Sequence, residues 1–163
     1  MAAEYTRPAT WEDVFLLAGY LEQAGARWAP IGGYAIAAHG FVRFTEDVDI
    51  LVDPSAENTP RWIAALSRLP DGASRALAGQ DDLFEREGQY AIRVNDEFTV
   101  DVMPSACGHS WAELAPLIET RLVDGVSLRV LGLEGLLMTK DAPRDKNRAD
   151  AAVLRAALEA LRR

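Results

Sequence analysis

The chain has 163 residues, 49% hydrophobic and 26% charged, with a net charge of −8 and one cysteine. That size and balance predict a single globular domain over residues 1–163, and no apolar run approaches the roughly 20 residues that span a bilayer. The opening MAAEYTRPATWED lacks the basic-then-apolar order of a secretory signal, and the lone Cys107 excludes an internal disulfide, so a cytoplasmic protein is expected.

Thr10 before Trp11-Glu12-Asp13 reads as a hydroxyl N-cap with acids in the first helical turn. Val14, Leu17, Ala18 and Leu21 continue at helical spacing to Gly25. Ala29-Pro30-Ile31 is a short apolar link, or one strand, that delivers the chain to Gly32-Gly33. Tyr34 to His39 reads as a short helix closed by Gly40, and the β-branched run Val48 to Val52 as a buried strand. Thr59-Pro60 opens a helix running to Pro70, and residues 71–81 read as a loop. Leu83 to Glu87, Tyr90 to Val94 and Phe98 to Met103 are three strand candidates separated by turns.

Ser110-Trp111-Ala112-Glu113 is a capping box predicting a helix to about Thr120. Arg121 to Leu131 resembles a hairpin around Asp124-Gly125, and helices are expected over 133–140 and 148–161. Helices and mostly antiparallel strands therefore mix along the chain. The expected class is α+β (α/β two-layer), a short mixed sheet with helices packed on one side.

The unusual feature is acidity inside a strand. Residues two apart share a strand face, so Asp47 and Asp49 project together, and Asp101 stands opposite Phe98, Val100 and Val102. If the two strands are neighbours, three carboxylates converge. Like charges and burial both oppose that arrangement, and Mg²⁺ with its hard oxygen ligands reverses the balance. A solvated strand edge is the plain alternative. Gly32-Gly33 ahead of a short helix adds backbone donors that a phosphate can approach closely.

With these residues in view, the stretch GGYAIAAHGFVRFTEDVDILVD and the later Asp101 resemble the DNA polymerase beta-like nucleotidyltransferases. They are similar in particular to minimal bacterial nucleotidyltransferase and AbiEii-like proteins, where a Gly-Gly-x-Ala start precedes an Arg-x-Thr-x-Asp-x-Asp run. The tail LLMTKDAPRDKNRADAAVL resembles theirs as well. The resemblance implies two Mg²⁺ ions on Asp47, Asp49 and Asp101, and a nucleoside triphosphate contacted by Gly32, Gly33, Arg43, Thr45 and Lys140. It implies in-line transfer of a nucleoside monophosphate to a hydroxyl on protein, RNA or a small molecule, with a possible toxin–antitoxin partner. Gly33 stands where many active members carry serine, and no second domain for an acceptor is evident. A non-catalytic nucleotide- or partner-binding module on the same scaffold is the other reading.

Charge is distributed unevenly. Seven basic residues face four acidic ones from Lys140 onward, leaving −11 on residues 1–139. So acidic a body argues against general duplex DNA binding, while Arg144 and Lys146 are equally solvated charge or triphosphate contacts. Trp28 and Tyr34 flank the glycine turn and are candidates to stack on a base, with core packing the more ordinary role. His39 reads as a packed histidine, Asp53 as a turn residue before Pro54, and Cys107 with His109 falls short of a zinc set.

Overall fold

The computed structural model describes residues 6–41, 45–80, 83–84, 91–140 and 145–162. Its first helix, α1 (Trp11–Gln23), is capped as the sequence predicts: Thr10 Oγ1 accepts from the Asp13 N–H, and Asp13 returns the bond to the Thr10 N–H at 2.8 Å. Arg7 grips both carboxylate oxygens of Asp13 at 2.6 and 2.8 Å, which holds that carboxyl below its ordinary range.

The central sheet is built from β1 (Trp28–Ile31), β2 (Val48–Val52), β3 (Ile92–Asn95) and β4 (Thr99–Met103), in the order β1-β2-β4-β3. Only β2 and β4 run parallel. Period-two alternation sorts the side chains onto two faces. Trp28, Ile50, Val52, Val100, Val102, Ile92 and Val94 pack with Leu17 and Leu21 of α1 and with Trp62, Ile63 and Leu66 of α3 (Thr59–Leu66). On the opposite face Ile31 and Leu51 join a second cluster with Ala35 and Ile36 of α2 (Gly32–Ala38).

The α+β class with a mixed sheet holds, but helices cover both faces rather than one. Odd-numbered Leu51 needs cover as much as even-numbered Ile50, and both are fully buried.

Beyond the sheet, a miniature hairpin of β5 (Ser105–Ala106) and β6 (His109–Ser110) turns at Cys107 and Gly108, which have φ of 48° and 78°. The capping box at Ser110 is present, yet its helix α4 (Trp111–Leu114) stops far short of Thr120. Ala115–Leu117 is 3₁₀ around Pro116, which cannot donate a helical bond, and Ile118 begins a strand. That strand, β7 (Ile118–Val123), pairs with β8 (Val126–Leu131) in the expected hairpin around Asp124-Gly125. The predicted loop over 71–81 holds a 3₁₀ helix, Ala73–Leu77, because the Asp96 carboxylate accepts from the Asp71 and Ala73 N–H groups at 2.9 and 3.0 Å.

The helix from Thr59 ends at Leu66, not Pro70. Leu83 and Phe84 lie in a turn where a strand was expected, and the rest of that candidate, residues 85–87, lies outside the described residues. The chain closes with α5 (Leu133–Met138) and α6 (Asp145–Arg162), whose Leu136 and Leu154 complete the second cluster. Among the described residues no helix is long and apolar enough to cross a membrane.

Candidate functional site

The registers of three strand pairs draw one row across the sheet. Ile31 stands opposite Asp49, Asp49 opposite Asp101, and Asp101 opposite Arg93. Neighbouring strands lie about 4.8 Å apart, so Asp49 and Asp101 carry adjacent carboxylates on one face. Directly opposed like charges weaken a sheet by a few tenths of a kcal/mol to about 1 kcal/mol.

A cation is already present in it. The Arg93 Nε and Nη2 donate to the two oxygens of Asp101 at 2.9 and 3.1 Å, and Nη2 lies 3.6 Å from Asp47 Oδ2. Asp101 and Asp47 thus face a common guanidinium, with Asp49 next to Asp101 in the register. Those acids raise the pKa of Arg93, Asp101 most strongly, so it stays charged at any working pH. Arg93 is the residue that sequence reading missed. Its signal was its place on the strand paired with Asp101, which only the register reveals.

The glycine turn abuts this row. Gly32 has φ +70°, and a Cβ there would collide with Asp49 Oδ2 and lie 3.2 Å from the Asp49 Cβ. At Gly33 a Cβ would meet the Thr45 Cβ at 2.7 Å and the Thr45 Oγ1 at 2.9 Å. Both glycines are buried. Their bareness is thus needed by the protein itself, which places Asp49 and Thr45 against the start of α2. Thr45 Oγ1 in turn donates to the Asp47 carbonyl at 3.0 Å and fixes the approach to β2.

Gly33→Ser is expected to destabilise the chain by about 1–3 kcal/mol through overpacking. Thr45→Gly in that background removes the clash but also the bond to the Asp47 carbonyl, so only part of the loss is recovered. Urea unfolding of the two variants checks both statements.

The other predicted residues sit differently. Lys140 forms an ion pair with Asp150 of α6 at 3.2 Å, both side chains largely buried. Arg43 and Arg144 lie outside the described residues, as does the side chain of Lys146. Trp28 and Tyr34 are core residues and not stacking platforms. Trp28 is 1% exposed with Nε1 donating to Glu22, and the Tyr34 hydroxyl donates to the Ala9 carbonyl at 2.6 Å. His39 is packed as expected, with Nε2 donating to the Leu131 carbonyl, and burial lowers its pKa. Asp53 accepts from Arg27 and from the Ser55 N–H, the turn role expected of it. Cys107 Sγ donates to the Thr139 carbonyl, and His109 pairs with Glu113, so neither ligates with the other.

Whether this site suits a divalent metal is decided by its donors. They are carboxylate oxygens, the right chemistry for Mg²⁺, and the Arg93 guanidinium already stands in for a cation among them. Among the described residues, however, no three acid, His or Cys side chains are gathered closely enough to form a metal set. The donors match the ion in kind and sign, but the described side chains do not form a set that would hold it.

No protein-family model matches the chain, and no curated protein matches it. Among solved structures the chain is similar to the solution structure of the antibiotic-resistance factor ANT(2'')-Ia. The two are 15% identical with a TM-score of 0.49, over 91% of this chain and 92% of that one. A likeness this distant transfers no residue role.

Proposed function

We propose that the chain is a Mg²⁺-dependent nucleotidyltransferase that moves a nucleoside monophosphate from a triphosphate to a hydroxyl acceptor. The observation that carries this reading is the Asp49–Asp101 row with Asp47 beside it and the Gly32-Gly33 turn pressed against Asp49. In this reading Asp47, Asp49 and Asp101 would hold Mg²⁺, which would supply neutralisation of the triphosphate charge. Asp49 on β2 and Asp47 just before it would be ligands to the ions. Asp101, on the neighbouring strand, completes the ligands and orients the acceptor hydroxyl. Thr45 holds the segment before β2 through the Asp47 carbonyl, so that Asp47 and Asp49 reach one place. Gly32 and Gly33, at the start of α2 against Asp49 and Thr45, contact phosphate. Lys140 reaches the nucleotide only after opening its pair with Asp150. The acceptor is a protein, an RNA or a small molecule, and a toxin–antitoxin pair is the biological setting we propose.

A specific observation favours the second reading, a non-catalytic nucleotide- or partner-binding module. Arg93 already satisfies both oxygens of Asp101. The test is incubation with each α-labelled nucleoside triphosphate, Mg²⁺ and cell extract. Covalent label on protein, RNA or a small molecule supports the enzyme, and its absence with all four nucleotides favours the module.

A further inference from the structure

We infer that the chain pairs with a second copy of itself through the free edge of β7, as an antiparallel strand pair centred on Thr120. The inference is independent of the metal–nucleotide reading above. β1 is the end strand of the central sheet and β8 lies against it, so β7 is the outermost strand on that side. Among the described residues, the backbone of Ile118–Val123 makes its backbone–backbone bonds with β8 alone. An edge strand of six residues with open N–H and C=O groups is a template for another strand.

The turn decides which groups are open. Asp124 and Gly125 form a two-residue loop with φ of 50° and 78°, the kind whose flanking residues, here Val123 and Val126, make a hydrogen-bonded pair. Bonded and non-bonded pairs alternate from there. Glu119 and Arg121 therefore turn their backbone groups to β8, while Ile118, Thr120 and Leu122 present theirs to the free edge.

Charge selects the partner and the register. A two-fold axis at Thr120 sets that residue against its own copy, Glu119 against Arg121 of the second copy, and Ile118 against Leu122 of the second copy. Each unlike pair occurs twice, and all three residues with open backbone groups are bonded. Registers centred on Glu119 or Arg121 oppose two carboxylates or two guanidiniums instead. Leu122 is 75% exposed and gains an apolar neighbour. Glu119 and Arg121 are 49% and 41% exposed, meet each other within the strand only at 3.5 Å, and face a cleft that separates β7 from Leu158 and Leu161 of α6. Arg121 Nε donates to the Ala38 carbonyl at 3.3 Å, which holds the guanidinium near the edge. One short strand pair is smaller than the about 1,000 Å² of a stable complex, so the dimer is expected only at about 10 µM protein and above.

Sedimentation of the full chain tests this, with monomer expected to give way to dimer between about 1 µM and about 1 mM. Hydrogen exchange over the same range is expected to slow at the Thr120 and Leu122 N–H groups and to stay unchanged at those of Glu119 and Arg121. Thr120→Pro removes an outward N–H and leaves every bond to β8 in place, so it is expected to keep its circular dichroism and lose the dimer. Glu119→Arg and Arg121→Glu each oppose like charges twice and are expected to weaken association about tenfold or more. An equimolar mixture of those two variants restores unlike pairs and is expected to recover the dimer. A monomer at every concentration overturns the inference and leaves the edge to another protein or to water. So does a dimer in which the Thr120 and Leu122 N–H groups exchange freely, or a mixture that associates no better than either variant alone.

Discussion

Asp49→Asn is expected to reduce nucleotide transfer by at least about 10³-fold while folding stability changes by less than about 1 kcal/mol. Asp49 sits at the centre of the row, opposite Asp101 on one side and Ile31 on the other, with its carboxylate against Gly32. Asparagine keeps the shape and removes the charge that would hold a cation in the proposed reading. Metal ions contribute several kcal/mol to stabilising charge in such transfers, and each 1.36 kcal/mol is tenfold in rate. The sheet gains from relief of a cross-strand repulsion of at most about 1 kcal/mol, which offsets small losses. Single-turnover transfer and urea unfolding on the same preparation separate the two effects. A variant with ordinary transfer would remove Asp49 from the site.

Gly32→Ala is the substitution with the largest expected structural cost. The left-handed conformation alone costs a non-glycine residue about 1–2 kcal/mol. At Gly25, with φ +69° and nothing within 4 Å of an added Cβ, that is the whole penalty. At Gly32 the same backbone strain is joined by a collision with the Asp49 carboxylate. We expect Gly32→Ala to cost about 3 kcal/mol or more and Gly25→Ala about 1 kcal/mol, each measured as a shift in the urea midpoint. The excess at Gly32 reports the Asp49 contact. It also predicts that Gly32→Ala weakens divalent-ion binding, which Gly25→Ala leaves unchanged. Equal costs at the two glycines would mean that Asp49 simply rotates away.

The helices, the hairpin at Asp124-Gly125 and strand β2 are legible in the sequence because caps, turn residues and periodicity are local signals. The acids are legible as acids on strands, but their meeting depends on a parallel pairing between segments some 50 residues apart, and register is a tertiary property. Arg93 was invisible for the same reason, since an alternating arginine on a short strand looks like ordinary surface charge.

The helix expected to reach Thr120 fails differently. Its start signal at Ser110 is real, but Pro116 and the pairing of Ile118 with Leu131 end it early. Likewise the loop over 71–81 acquires its turn of 3₁₀ helix from Asp96, a partner distant in sequence. The bareness of Gly32-Gly33 reads locally as room for a ligand. In the fold it is first of all room for Asp49 and Thr45.

The central claim, that the Asp47–Asp49–Asp101 cluster is a metal–nucleotide site, is tested most directly by calorimetric titration of ATP, GTP, CTP and UTP with and without Mg²⁺. The predicted result is saturable binding of at least one nucleotide that requires Mg²⁺ and disappears in the Asp47→Asn/Asp49→Asn chain. Binding that is indifferent to Mg²⁺, or that persists in the double variant, would contradict it.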